Sequence, residues 1–386
     1  MKIVKLKDLT IDGKGTYGIA APAVDWQENL PTYLRITDIF DDGTLNFSGL
    51  KSVSDSNAGK YFLKPNDIVF ARTGGSTGRS YFYDGTDGKF VYAGFLIKFS
   101  LDSKKVNPKY IKYFCLSESY KKWVHSFNTG STRGNINAQT FGNLEIPLLE
   151  RPQQDKIVSF LDSIDQKIKI NKKTNDNLQQ QAAALFANFY DQAETEVGFT
   201  EMIQILGGGT PKTGESSYWN GDIPFFTPKD VGFPYTLTTE KTITEEGLAH
   251  CNSRLYPINT VFVTARGTVG KVGLPGVPMA MNQSCYALVG KDTHQLLVYF
   301  YTLKAVDRLK HKASGAVFDA ITTRDFEAEN IMKLSDDDTK AFLDVAEPIY
   351  QAVLNNSIEN LRLSELRDSL LPKLMNGEID VTDIRL

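Results

Sequence analysis

Two stretches of the chain carry apolar residues at alternating intervals of four and three positions, and they cover residues 151–190 and 336–375. This spacing predicts two long helices, each with one apolar stripe of the kind that forms the seam of a coiled coil. Residues 1–150 and 197–335 show shorter strand-like and helical patterns between Gly, Pro and Asn turns, which predicts two α+β globular parts. Residues 376–386 remain as a short tail.

The two apolar stripes match each other when the chain is shifted by 185 positions, so that Ile157 aligns with Phe342. Both stripes contain two asparagines at matching places, and a buried Asn in a seam costs stability but fixes register or partner choice. We expect the helices to pair with each other, because a lone helix would leave its stripe in water. The alternative is that each helix packs only on its own globular part. The predicted seam consists of Ile157, Leu161, Ile164, Ile168, Asn171, Asn175, Leu178 and Leu185 in the first helix and of Ile349, Val353, Asn356, Asn360, Leu363 and Leu370 in the second.

The globular parts repeat as well. Residues 67–80 (DIVFARTGGSTGRS) resemble residues 260–273 (TVFVTARGTVGKVG), and residues 33–39 correspond to 225–231. In each copy, a short apolar strand leads into a loop of Arg, Gly, Ser or Thr and a basic residue. The alignment pairs Arg72 with Arg266, Gly78 with Gly270 and Arg79 with Lys271.

The composition of these loops suits DNA. Arginine forks onto guanine, hydroxyls reach base edges or phosphates, and glycine lets the backbone approach a ligand. The alternative is a pair of solvated hairpin turns, but the duplication favours binding. Two basic patches accompany the loops, one with Lys122 and Arg133 and one with Lys312. These cations either contact phosphates or cap the ends of helices.

The overall charge and the motifs limit the possible functions. A formal net charge of −3 gives no general basic footprint, so DNA binding would depend on local patches. Serine-hydrolase, methyltransferase and zinc-site motifs are missing from the sequence, so we expect a protein that binds and organises, with no cofactor or metal of its own. The three distant cysteines, the lack of a membrane-spanning apolar run and the polar start predict a cytoplasmic protein with no membrane partner.

A glycine-rich run at 205–219 (ILGGGTPKTGESSYW) raises the question of a nucleotide-binding loop. Such a loop needs glycine before its lysine, but Pro211 precedes Lys212 and has no N–H to donate to a phosphate. The first glycine of the motif is also replaced, by Leu206. The sequence therefore predicts a glycine-rich surface turn.

Several segments together resemble the specificity subunits of type I restriction–modification systems. Residues 207–231 are similar to the opening of a target recognition domain of that family, and 281–288 (MNQSCYAL) to its Asn-Gln strand. Residues 146–165 and 370–381 are similar to the conserved spacer-helix segments, and these two matches are the most specific. The resemblance covers essentially the whole chain.

This resemblance implies an α+β fold in which two α/β target recognition domains are separated by two long antiparallel coiled-coil helices, with a pseudo-twofold internal repeat. Each domain would read one half of a bipartite double-stranded DNA site, and the subunit would not be catalytic. Two methyltransferase subunits and the restriction (translocase) subunits would be its partners. S-adenosylmethionine and ATP would belong to those partners.

Base and phosphate contacts are assigned to the polar loop and patch residues. Two alternatives to a restriction enzyme remain: a specificity subunit of a methylation-only or phage-defence system, and a coiled-coil scaffold that binds proteins. The predicted DNA contacts are Arg72, Ser76, Thr77, Arg79, Lys122 and Arg133 in the first part and Lys229, Arg266, Thr268, Lys271, Asn282 and Lys312 in the second.

Overall fold

The computed structural model describes residues 2–127, 134–232, 234–312 and 320–379. The chain forms two compact units: unit 1 comprises residues 1–166 and 364–386, and unit 2 comprises residues 167–363. Within the described ranges, no helix combines the length and the apolar character needed to cross a bilayer. Sheets and helices mix in both units, which confirms the α+β class.

Unit 1 is built from short strands, three short helices and parts of two long helices. Its strands are β1 (Lys2–Lys5), β2 (Thr16–Tyr17), β3 (Ala23–Val24), β4 (Thr32–Leu34), β5 (Lys51–Val53), β6 (Asp67–Ala71), β7 (Ser80–Tyr83), β8 (Phe90–Tyr92), β9 (Leu96–Ser100) and β10 (Glu145–Leu148). Its helices are α1 (Pro108–Phe114), α2 (Glu118–His125), α3 (Ala138–Gly142) and the start of α4 (Arg151–Gln192).

The strands of unit 1 form two four-stranded sheets, in the orders β2-β9-β6-β7 and β3-β5-β4-β8, and β1 pairs with β10. Strand β6 lies between two neighbours and all five of its residues are buried, which explains its nearly unbroken apolar sequence. The short helices begin at side-chain caps: Asn107 accepts from the N–H of Lys109, and Ser117 from that of Tyr120. Caps of this kind satisfy backbone donors that the first turn of a helix would otherwise leave unpaired.

Unit 2 repeats this plan with longer elements. Its strands are β11 (Thr195–Gly198), β12 (Ile203–Gly207), β13 (Trp219–Phe226), β14 (Tyr235–Thr236), β15 (Lys241–Ile243), β16 (Val261–Thr264), β17 (Val272–Pro275), β18 (Ala280–Met281), β19 (Cys285–Gly290) and β20 (Asn330–Lys333). Its helices are the rest of α4, α5 (Phe199–Met202), α6 (Glu245–Ala249), α7 (Gln295–Lys312), α8 (Thr323–Glu327) and most of α9 (Asp336–Met375).

The sheet topology of the two units is the same at their centres. The order β12-β19-β16-β17 reproduces β2-β9-β6-β7, and β15-β13-β18 reproduces β5-β4-β8, including one parallel pair in each. The antiparallel pair β11–β20 corresponds to β1–β10. Strand β3 in unit 1 and strand β14 in unit 2 are additions to this shared plan. The internal repeat inferred from sequence is therefore present as a repeated fold.

The buried face of each long helix is wider than the seam predicted from the sequence. Of the predicted seam residues, Ile157, Leu161, Ile164, Asn171, Asn175 and Val353 are buried and the others are half-buried. Further buried positions lie beside the predicted stripe: Phe186, Tyr190, Tyr350, Leu354, Leu371 and Met375. Phe186 stacks on Phe300 of α7, with 4.9 Å between the ring centroids. A helix that packs on a globular layer as well as on another helix needs this broader stripe.

In unit 1, the end of α9 contacts the start of α4 through a charged group. Asp165 accepts from Lys112 Nζ at 2.6 Å and from Arg367 Nη1 at 3.1 Å. Burial raises the pKa of Asp165, but the two cations lower it by more, so its pKa lies below the ordinary value of 3.8. Arg367 lies between Leu363 and Leu370 of the predicted seam, and this pairing explains how a charge is accommodated there.

Candidate nucleic-acid interface

Three loops of unit 2 come together at one end of its sheets: 227–230 after β13, 265–271 between β16 and β17, and 282–284 before β19. Backbone hydrogen bonds join the last of these to the other two, from the N–H of Asn282 to Phe226 O at 3.0 Å and from the N–H of Ala265 to Ser284 O at 2.8 Å. The cluster is thus fixed by the sheet backbone, while its side chains are left to vary.

The predicted contact residues of unit 2 lie on this three-loop cluster. Lys229, Arg266, Thr268 and Lys271 are exposed. Asn282 is half-buried, and its Oδ1 accepts from the N–H of Ser284 at 3.0 Å, so its carbonyl side is occupied by its own turn. These five residues therefore lie on loops that backbone hydrogen bonds join, although they come from separate parts of the sequence.

Unit 1 has the equivalent cluster, formed by loops 35–38, 72–79 and 93–95. The N–H of Ala93 donates to Leu34 O and that of Arg72 to Phe95 O, both at 3.0 Å. These bonds match the two that join the loops of unit 2, so the clusters are built on the same backbone frame.

Two of the predicted contact residues of unit 1, Arg72 and Arg79, are held by other residues of the protein. The Arg72 guanidinium lies over the Tyr17 ring, 5.0 Å from its centroid, and donates to Asn135 Oδ1 at 3.3 Å. Its Nε is buried and has no acceptor among the described residues. Arg79 pairs with Asp41 at 2.7 Å.

The hydroxyl residues of the same loop are also engaged. Thr77 Oγ1 donates to Gly74 O at 2.7 Å and to Gly134 O at 3.1 Å, and Ser76 is buried. Both therefore shape the loop, in addition to any role in contacting DNA.

The structure corrects one alignment inferred from sequence. Arg72 and Ala265 make the same backbone bond, to Phe95 O and Ser284 O respectively. Arg266 therefore corresponds to the residue after Arg72, as their equivalent bridge pairings also show. The expected pairing of Arg72 with Arg266 was wrong by one position, because the loop of unit 1 has one residue more. The pairings of Gly78 with Gly270 and of Arg79 with Lys271 agree with the structure.

The glycine-rich run of unit 2 serves close backbone packing. A Cβ on Gly208 would lie 2.1 Å from Asn282 O, and one on Gly209 would lie 2.6 Å from the backbone N of Asn252. Gly18 of unit 1 is in the same position, since its Cβ would lie 2.3 Å from Ala93 O. These glycines let the first strand of the sheet pass directly beside the turn that carries the candidate site.

Comparison of the chain with models of known protein families identifies its family. The model of the type I restriction modification DNA specificity domain matches residues 1–180 and 195–333, which is most of the chain. The chain belongs to this family. Membership confirms the resemblance inferred from sequence and the assignment of a non-catalytic DNA-specificity component of type I restriction–modification enzymes.

Individual relatives agree with the family. The chain is 23% identical over 404 residues to the HindI specificity subunit of Haemophilus influenzae, covering 83% of this chain and 88% of that protein. It is 26% identical over 227 residues to the EcoR124I/EcoR124II specificity subunit of Escherichia coli, covering 52% of each. The crystal structure of the S subunit from M. genitalium superposes with a TM-score of 0.55 at 16% identity, over 97% of this chain and 95% of that one, which shows the shared fold.

The basic patches of this specificity-domain chain differ in their surroundings. Lys122 is exposed on α2, and Arg133 lies outside the described residues. Lys312 forms an ion pair with Glu329, a carboxylate that is only 2% exposed and also accepts from Arg308 at 2.9 Å. Lys312 therefore has a structural role at the end of α7, whether or not it also contacts a phosphate.

The asparagines of the long helices meet in unit 2. Asn171 Nδ2 donates to Asn360 Oδ1 at 3.0 Å, and Asn356 Nδ2 donates to Asn175 Oδ1 at 2.8 Å. Partner numbers fall as residue numbers rise, so the two helical segments run in opposite directions here. A further bond from Asn171, together with Lys167, lowers the pKa of Glu359. The buried amides are thus hydrogen-bonded rather than stranded in an apolar seam.

The described residues contain no group of three or more His, Cys, Asp or Glu side chains that could hold a metal ion. The three cysteines are unpaired thiols. Burial raises the pKa of Cys285, directly after the 282–284 loop, to about 12. This thiol is therefore protonated and unreactive near neutral pH.

Proposed function

We propose that unit 1 and unit 2 each read one half of a bipartite DNA site. The observation that carries the proposal is the repeated three-loop cluster: two copies share one backbone frame but present different side chains. A duplicated reader with divergent tips suits a site whose halves differ in sequence. Strands and their connecting loops are known to enter DNA grooves in this manner.

Within unit 2, Arg266 is the strongest candidate for reading a base. It is exposed, and its guanidinium forms neither an ion pair nor a hydrogen bond with the described residues. By contrast, Lys229 lies 3.8 Å from Glu240. An arginine with its fork unoccupied can bond both O6 and N7 of a guanine. Asn282 retains its amide donor for a base acceptor, while Lys271 and Thr268 suit phosphates.

Substituting Arg266→Ala tests this assignment. Measured by gel shift with the methyltransferase partner present, affinity for the cognate duplex should fall by about 1–3 kcal/mol, because a bidentate guanine contact is lost. Duplexes already altered at that guanine should be bound equally by variant and parent. Arg362→Ala, which removes an exposed arginine of helix α9, is the matched control and should change neither value. Equal weakening on every sequence would mark Arg266 as a phosphate contact instead.

The assembly is proposed to contain two methyltransferase subunits and the restriction subunits. S-adenosylmethionine and ATP would then be bound by those subunits. Support comes from the family, whose relatives carry the names of type I restriction enzyme subunits. With a net charge of −3, this chain would share the grip on DNA phosphates with its partners.

We also propose that α4 and α9 form an antiparallel coiled coil. The opposed direction of the asparagine contacts in unit 2 and the buried stripe residues support it. Two matched asparagines in each helix would fix the register, since sliding by one turn would leave amides facing apolar side chains.

A further inference from the structure

The turn between β8 and β9 presents a large apolar ring to solvent. The Phe95 side chain is 60% exposed. Its backbone is nevertheless fixed, because its carbonyl accepts from Arg72 and the flanking N–H groups of Gly94 and Leu96 donate to Ile19 O and Ala93 O, both at 2.8 Å. An exposed phenylalanine on a fixed turn adds little to the core, and it is therefore available for a partner.

Unit 2 has a polar residue at the same place. Ser284 accepts the backbone bond from Ala265 that Phe95 accepts from Arg72. The neighbouring strands show the same loss of an aromatic side chain. Tyr17 of β2 is 42% exposed, and the strand registers show that Gly207 of β12 takes its place in unit 2. The tip of unit 1 is thus aromatic where the tip of unit 2 is polar.

The aromatic tip lies on the face already assigned to DNA. Phe95 belongs to the three-loop cluster of unit 1, beside an arginine whose guanidinium is held on Tyr17. In the major groove the one apolar group that a base pair offers is the 5-methyl of thymine, and phenylalanine is among the side chains that contact it. A rigid ring loses little conformational entropy on making such a contact.

Resting on the proposed function, we propose that Phe95 is a specificity-determining residue that contacts a thymine methyl group in the half-site read by unit 1. It discriminates thymine from the other bases by apolar contact, whereas the equivalent turn of unit 2 acts through hydrogen bonds. This gives the two halves of the site different chemical readers on the same backbone frame.

Thymine-to-deoxyuridine substitution tests this contact, because it removes the methyl group and leaves every hydrogen-bonding atom in place. The chain is assembled with its methyltransferase partner, and each thymine of the cognate duplex is replaced in turn. The parent should lose about four-fold in affinity at one thymine, the value of burying one methyl-sized group. Phe95→Ala should lose a similar factor on normal DNA and should be indifferent to deoxyuridine at that position.

Two further variants serve as controls. Ser284→Ala, at the matching turn of unit 2, should keep the parent's response to every thymine in the half-site of unit 1. Phe95→Leu retains an apolar side chain and should keep part of the methyl dependence. Thermal unfolding should show the same stability for the Phe95 variants as for the parent, since the ring is exposed.

The outcomes separate the two proposals. A parent that selects one split site but responds to no thymine-to-deoxyuridine change in that half overturns the role of Phe95 and leaves the reading function intact. The same holds if Phe95→Ala keeps the full methyl dependence. A parent that shows no preference among split sites contradicts the proposed function itself.

Discussion

At the scale of single residues, glycines allow the close backbone approach that the turns of the three-loop clusters require. Gly208 and Gly18 lie at equivalent positions. Gly208 lets the end of β12 lie against the carbonyls that precede β19, and Gly18 lets the end of β2 lie against those that precede β9. Neighbouring Gly207 has open space around its Cβ position, with nothing within 4 Å. Two adjacent glycines in one run therefore have different physical requirements.

Gly208→Ala should destabilise unit 2 by about 1–3 kcal/mol, because its Cβ would lie 2.1 Å from Asn282 O and the backbone must shift. Gly207→Ala is the matched control and should be neutral or slightly stabilising, since the site is open and alanine restricts the unfolded chain. Urea unfolding followed by circular dichroism gives both values. Equal effects of the two substitutions would show that the close approach does not constrain the strand.

At the scale of elements, the long helices pack on the globular part of the fold and also contact each other. Phe186 of α4 packs on α7, while the asparagines of α4 and α9 bond to each other. Asn175 makes bonds in both directions: its Nδ2 donates to Val353 O at 3.1 Å and its Oδ1 accepts from Asn356. Removing one member of such a buried group leaves its partners unsatisfied.

Asn175→Ala should therefore lower the free energy of unfolding by about 1–3 kcal/mol, the cost of stranding buried polar groups. Asn177→Ala removes an exposed amide two positions along the same helix and should change stability by less than about 0.5 kcal/mol. Chemical denaturation of the full chain measures the difference. A loss from Asn177→Ala as large as that from Asn175→Ala would contradict the role of the hydrogen-bonded cluster, because alanine forms helices better than asparagine and helix propensity alone would not destabilise either variant.

At the scale of the whole molecule, a duplicated sequence folds into two units of common topology. Within unit 2, Asn171 of α4 bonds Asn360 of α9, and Asn175 bonds Asn356. In the alignment of the two repeats, Asn171 corresponds to Asn356 and Asn175 corresponds to Asn360. Each asparagine of α4 is therefore equivalent to the residue that the other one bonds. Exchange of equivalent partners is the mark of an isologous contact. The asparagine contacts within unit 2 therefore join equivalent positions of the two repeated helices in exchanged order.

The sequence-based prediction is that these helices separate two DNA readers, and helix length then sets the preferred spacing of the half-sites. Deleting residues 164–170 of α4 together with 361–367 of α9 removes facing segments and shortens both helices by about 10 Å. Because one base pair rises about 3.4 Å, we expect the preferred DNA spacer to shorten or methylation to stop. Methylation of a duplex series with varied spacers measures this. A single-helix deletion should misalign the asparagines and unfold the pair, whereas an unchanged spacer preference in the double deletion contradicts the prediction.

The sequence by itself determined the parts that depend on local periodicity and on repetition: two long helices, two mixed globular parts, the matched asparagines and the loops after β6 and β16. It also indicated the family, because the spacer-helix segments are specific. The tertiary structure decided which loops meet, since hydrogen bonds between strands distant in sequence bring 227–230, 265–271 and 282–284 together. It also showed that Arg72 corresponds to Ala265 rather than to Arg266, because one extra residue in the loop of unit 1 changes the alignment without altering the local pattern. Phe95 has no sequence signal of its own, as only the fold shows that this phenylalanine is exposed on a fixed turn bonded to the 72–79 loop.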